Sequence, residues 1–163
     1  MNIPYHKQIT DYYCGPASLQ MVLEYFGIHT SQQKLAEHLN TTPDNGTDHS
    51  DLIRVAREHG FYCYVNQEST LEEVRHFLAQ KLPVIVNFME PKDNDPHYAV
   101  VIDQQDENII LHDPWNGKEF ALLDKWFLDH WYDVENNAKQ WIMVLSQNDF
   151  GLGKQFIPIR NDE

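Results

Sequence analysis

The sequence is short of cysteine, positive charge, glycine and long apolar runs, and each shortage removes a class of protein. Two cysteines, Cys14 and Cys63, are too few for a disulfide-built scaffold. The chain therefore reads as cytoplasmic, with free thiols, one of them available for chemistry. Twelve Lys and Arg stand against 25 Asp and Glu, a formal net charge of −13. Nucleic acid is not an expected partner, because phosphate binding needs clustered basic residues. Anionic membrane surfaces are disfavoured for the same reason. A basic or neutral peptide stays open as a partner, although on charge alone the surplus carboxylates need do no more than keep the domain soluble. Of the seven glycines no two are five apart, so the usual phosphate-binding loop is missing. No apolar run approaches the ~20 residues of a membrane span, and Met1 to Thr10 holds no stretch fit for a secretory signal. The nine histidines show no H-x-x-x-H spacing. Asp93-Asn94-Asp95 lacks the Gly and the closing Glu of a calcium loop. Neither a metal nor another cofactor is expected.

What remains is one ordinary core's worth of chain: 163 residues, 42% apolar and 23% charged. Such a length should bury roughly 68–70% of its unfolded surface. Residues 1–146 are expected to form the domain and the polar residues 147–163 a frayed tail. Gly15-Pro16 opens a helix with Pro16 in its first turn. Leu19, Val22, Leu23 and Phe26 then recur at helical spacing until Gly27. Ser31 caps a second helix through Leu39, and a third spans about Ser50 to His59 with Leu52, Ile53 and Ala56 inward. Thr70 and Glu73 form a capping box for a fourth helix, which buries Leu71, Val74, Phe77 and Leu78 and is broken by Pro83. Strand patterns fall at Phe61–Val65, Val84–Phe88, His97–Ile102, Asn108–His112, Glu119–Leu122 and Trp141–Leu145, with a short aromatic helix over about Asp124–Trp131. Helices first and strands later make the class α+β, with a mostly antiparallel sheet.

Cys14 stands at a helix start, where free amides and the helix dipole favour an anion and so a nucleophilic thiolate. A cysteine there is more often a small buried residue. A nucleophilic cysteine also needs a base, and the base an orienting group. His97 opens one strand and Asp113 follows another. With Asp103–Glu107 as the hairpin loop between them, position 97 lies opposite 113 or 114, and Asp113 comes beside the imidazole. Gln8 precedes Cys14 by six residues and could donate an amide N–H to an oxyanion, together with the Cys14 backbone amide. A lone glutamine is otherwise an ordinary surface residue.

These residues lie in recognisable surroundings. Ile3-Pro4-Tyr5-His6-Lys7-Gln8, Tyr13-Cys14-Gly15-Pro16-Ala17-Ser18, Leu82-Pro83-Val84-Ile85-Val86, His97-Tyr98-Ala99-Val100-Val101-Ile102 and His112-Asp113-Pro114-Trp115 follow in order. Together they resemble the motifs of the bacteriocin-processing cysteine peptidases, the double-glycine leader peptidases and their stand-alone relatives. The resemblance covers about residues 3–145 and implies a papain-like fold, a helical half packed on an antiparallel sheet. It implies Gln8 as oxyanion donor, Cys14 as nucleophile, His97 as base and Asp113 as orienting carboxylate. The best-known members are fused to a transporter with membrane helices and a nucleotide-binding domain. This sequence holds neither, so leader cleavage after a double glycine does not follow.

Other residues read more plainly. Cys63 suits inert strand packing, and His112 should alternate to the far side of its strand from Asp113. Trp115, just after Asp113, is the aromatic residue placed nearest substrate. The expected activity is peptide-bond hydrolysis through an acyl-enzyme, on a peptide or protein substrate. Acyl transfer by the same residues and a non-catalytic peptide-binding module are the alternatives, and a regulatory partner could hold the cleft closed.

Overall fold

The first helix, α1 (Cys14–Tyr25), starts at the cysteine itself in the computed structural model, which describes residues 1–159. Pro16 takes the first turn, where its missing N–H has no helical partner to lose. Leu19, Val22 and Leu23 are fully buried, each burial being worth about 1.5–3 kcal/mol. Gly27, at φ 90°, ends the helix in the left-handed region. α2 (Gln32–His38) is capped by Ser31, whose hydroxyl accepts from the Lys34 amide at 3.1 Å. α3 (His49–Glu58) buries Leu52, Val55 and Ala56, while Ile53, expected inward, is only half-buried. Val55 rather than Ile53 completes the i, i+3, i+4 stripe.

α4 (Leu71–Ala79) forms half of the expected capping box. The Thr70 hydroxyl accepts from the Glu73 amide at 3.1 Å, but the Glu73 carboxylate turns to the Asn66 side chain instead. Val74 and Phe77 are buried and Leu71 and Leu78 half-buried. Pro83 does not stop this helix. Lys81 does, by adopting φ 62° while the Leu82 amide bonds back to Phe77 O at 3.1 Å.

The strands are β1 (Tyr62–Asn66), β2 (Val84–Met89), β3 (Pro96–Gln105), β4 (Asn108–Asp113), β5 (Gly117–Leu123), β6 (Tyr132–Asp133), β7 (Ala138–Lys139), β8 (Ile142–Ser146) and β9 (Gln155–Phe156), with α5 (Asp124–His130) after β5. Seven make one antiparallel sheet in the order β5-β4-β3-β2-β8-β1-β9, and β6 pairs with β7. β2 lies in the middle and is buried at every position. α1, α2 and α3 cover one face over Ile85, Val100, Met143 and Leu145. α4 and α5 cover the other over Val84, Val86, Ala99 and Val144. Among the described residues no helix is long and apolar enough to cross a membrane.

Two further expectations change. Residues 147–159 are not simply frayed: β9 pairs with Cys63 and Tyr64, and Arg57 clasps Ile157 O at 2.7 Å through Nε, while residues 160–163 of the expected tail lie outside the described residues. The β3–β4 hairpin is also longer than expected. Its turn is Asp106-Glu107 rather than Asp103–Glu107, because the polar residues of β3 alternate half-buried and exposed at a sheet end. A bulge between Val101 and Asp103 shifts the register, so Val100 faces His112. Asp113 therefore stands level with Ala99, diagonal to His97 on the same face, and not directly opposite it.

Candidate active site

The site is assembled where α1 begins and where β3 and β4 meet at the open end of their hairpin. α1 packs across β3, which brings its N-terminus and Cys14 to that sheet end. The Cys14 amide belongs to the first turn of the helix, whose N–H groups have no helical partner. Gly15 allows the close approach of the loop between α2 and α3: a Cβ there would stand 2.5 Å from Thr47 Oγ1. His97 is 5% exposed and Asp113 fully buried, and His97 Nε2 donates to Asp113 Oδ1 at 2.6 Å. The other ring nitrogen, Nδ1, is left for Cys14, which lines the same cleft as His97.

Burial pulls the His97 pKa down, but the Asp113 carboxylate, with a smaller contribution from its neighbour Cys14, more than reverses this and raises it to about 10. Burial pushes the Asp113 carboxyl the other way, yet His97 and the Asn116 donors hold it below the usual carboxylate range. Asp113 Oδ1 also accepts from the Trp115 and Asn116 amides at 2.9 Å each, and Oδ2 from Asn116 Nδ2 at 3.1 Å. The loop that follows β4 is thus wound around the carboxylate.

Gln8 is not the surface residue its type suggests; it is 6% exposed and lines the cleft. Three bonds lay its segment against the end of β4: His112 Nε2 donates to Ile3 O at 2.9 Å, Tyr5 Oη to Asp113 O at 2.8 Å, and the Gln8 amide to Pro114 O at 3.0 Å. Gln8 Nε2 spends one hydrogen on Thr10 O at 2.8 Å, which orients the side-chain amide and leaves its second N–H free. His112 turns away from His97, as the strand alternation predicts. Trp115 lines the same cleft, its indole N–H without a partner among the described residues.

Several supporting residues went unread in the sequence. Asn116 braces Asp113, and Glu90, 3% exposed, links Asn116 to the loop before His97 by accepting from Asn116 Nδ2 and from the Lys92 amide. The signal for Asn116 was a D-x-x-N spacing, which recurs at Asp133 and Asn136 with the same turn-closing bonds. Tyr98 forms part of the cleft wall, donating to Thr47 O at 2.8 Å and accepting from His49 Nδ1 at 2.6 Å. His49 is stacked on Trp141 with ring centroids 4.0 Å apart.

Burial lowers the His49 pKa to about 4, against smaller upward pulls from Asp133 and Asp48. An unfolded chain protonates this residue below about pH 6.5, whereas the folded one resists down to about 4. Stability is therefore lost as pH falls through that interval, by at most about 3 kcal/mol. His49→Asn, which keeps a donor for Tyr98, should flatten this part of the stability–pH curve in urea titrations. An unchanged slope in the variant would count against His49 as its source.

Comparison with known proteins places the chain in a family. A profile of the peptidase C39 family matches residues 2–135. The chain is 34% identical over 112 residues to an uncharacterised protein of Methanothermobacter marburgensis, covering 69% of this chain and 72% of that one. It is 31% identical over 142 residues to the pediocin PA-1 transport/processing ATP-binding protein PedD of Pediococcus acidilactici, covering 86% of this chain but only 18% of that protein. The peptidase domain of Streptococcus ComA superposes with a TM-score of 0.70 at 23% identity, covering 90% of this chain and 100% of that one. A double-glycine motif protease from an AMS/PCAT transporter, solved with the leader peptide, gives 0.71 at 18% identity, covering 88% and 91%. These likenesses show the fold, a papain-like α+β domain. With the profile spanning most of its length, the chain belongs to the peptidase C39 family.

Proposed function

We propose that this chain is a cysteine peptidase that hydrolyses a peptide bond through Cys14, His97, Asp113 and Gln8. The observation that carries the reading is the buried His97–Asp113 bond of 2.6 Å in the same cleft as Cys14 at the start of α1. The Cys14 sulfur attacks the scissile carbonyl carbon, and the oxygen becomes an oxyanion. The second N–H of Gln8 Nε2 and the Cys14 amide stabilise that charge, with Thr10 O holding Gln8 in place. His97, charged and steadied by Asp113, protonates the leaving nitrogen as the C–N bond breaks, leaving a thioester. Neutral His97 then takes a proton from water. The resulting hydroxide attacks the thioester, and the carboxylic acid leaves as the Cys14 sulfur is released. A reducing, cytoplasmic setting suits both free thiols.

The test needs no known substrate. A complex peptide library is incubated with the protein, quenched in acid, and analysed for new termini and for mass added at Cys14. The wild type is expected to yield new termini and a thioester on Cys14, and Cys14→Ala neither. The same termini from Cys14→Ala would sink the assignment.

A further inference from the structure

The cleft that holds Cys14 and His97 is walled by acceptors. Seven carboxylates line it and, among the described residues, no Lys or Arg does. Asp11 comes from the segment before α1, Asp44 from the loop after α2, Asp93 and Asp95 from the loop between β2 and β3, and Asp133 and Glu135 from β6 and its turn. Separate parts of the chain thus turn one sign of charge into a cavity of about 330 Å³. The seventh, Glu90, and Asp133 are engaged by backbone and asparagine N–H groups. Asp93, Asp95 and Glu135 are exposed. Among the described residues the ion pairs of Lys and Arg are those of Arg54 with Asp51 and Glu58, away from this cavity.

A second feature is independent of charge. Asn87 is 2% exposed and lines the cavity. Its Nδ2 donates to His97 O at 3.4 Å, and among the described residues its Oδ1 has no partner. Gln8, also in the cavity wall, has a buried Oε1 that is likewise without a partner among the described residues. Buried acceptors without donors are unfavourable, and a ligand rich in N–H groups relieves them. Outside the cavity lining, Lys92 Nζ lies 5.6 Å from the centre of the Trp115 ring, so that aromatic face already has its cation.

We infer that the cleft contains a subsite for a cationic side chain of the peptide substrate, arginine before lysine. Asp93, Asp95 and Glu135 supply the charge, and Asn87 Oδ1 the directional acceptor. A guanidinium brings five donors in a planar fork and so meets carboxylates and an amide oxygen together. The inference rests on reading the cleft as a peptide site, and it names the substrate class for that reading.

Two readouts separate the subsite from the chemistry. Internally quenched peptides carrying Arg or its uncharged isostere citrulline, scanned across the sequence, are assayed for turnover by the wild type. The same pairs, singly labelled, are titrated onto Cys14→Ala by fluorescence anisotropy. At one position Arg is expected to exceed citrulline by about tenfold in both kcat/KM and affinity, with the advantage shrinking as salt is raised. Asp93→Asn combined with Asp95→Asn should abolish the ratio, and Asp106→Asn, in the distant β3–β4 turn, should leave it. Turnover without an Arg advantage overturns the subsite and leaves the peptidase reading standing. An Arg advantage in binding with no cleavage of any peptide supports the subsite and overturns the peptidase reading. No binding and no turnover overturns both.

Discussion

Iodoacetamide at neutral pH should label Cys14 and leave Cys63 untouched, and His97→Ala should slow the Cys14 reaction by about two orders of magnitude. The two thiols have opposite surroundings. Cys63 is fully buried in β1 between β8 and β9, and burial pushes its thiol up to about 12, only slightly offset by Arg57. Cys14 is half-buried, lines the open cleft and neighbours His97. An imidazolium there stabilises the thiolate that reacts with iodoacetamide, and alanine removes it. Peptide mapping by mass spectrometry reads the two cysteines separately. Equal labelling of both, or a Cys14 rate indifferent to His97→Ala, would mean that no thiolate–imidazolium pair forms.

Asp113→Asn should lower kcat by about a thousandfold and cost roughly 2–4 kcal/mol of stability. The substitution keeps the shape and removes the charge. His97 then loses the principal opposition to its own burial, and the raised pKa collapses. The donors wound around the carboxylate, the Trp115 and Asn116 amides and Asn116 Nδ2, would meet an amide that carries donors of its own. The pH dependence has two limbs of opposite sign. Asp113 has a lowered pKa, so its stabilisation is present above the usual value of 3.8 and is lost as pH falls through the folded value. His97 has a raised pKa, so its stabilisation is complete below 6.5 and is lost as pH rises towards about 10. Asp113→Asn should flatten both limbs in denaturant titrations while His49 still sets the intermediate slope. Wild-type kcat in the variant would remove Asp113 from the chemistry.

Much of the fold could be read because it is local. The stripe Leu19, Val22, Leu23, the Ser31 cap, the Thr70 hydroxyl on the Glu73 amide and the apolar run of β2, interrupted by Asn87 alone, all depend on residues within a turn or two of one another. The misreadings arose where tertiary packing decides. Polar residues at 103–105 look like a loop, yet form strand at the end of a hairpin. Gln155-Phe156 is too short to show a period, and only its neighbour β1 makes it a strand. Lys81 rather than Pro83 stops α4, because the left-handed residue that closes the helix carries no strong sequence mark here.

The same division runs through the site. By itself the sequence determined that Cys14 opens a helix, that His97 and Asp113 flank one antiparallel hairpin, and that the chain is strongly acidic. Periodicity and net charge need no knowledge of the fold. Only the tertiary structure decided that the segment of Gln8 lies against the end of β4, through the Gln8 amide bond to Pro114 O and the Tyr5 bond to Asp113 O, 108 positions away. It alone decided that a bulge at Ile102 sets His97 diagonal to its carboxylate. It alone brought the carboxylates of separate loops and the unpartnered Asn87 oxygen to one cavity. Contacts so distant along the chain are set by how the sheet closes and what packs across it, and no local pattern of residues encodes that.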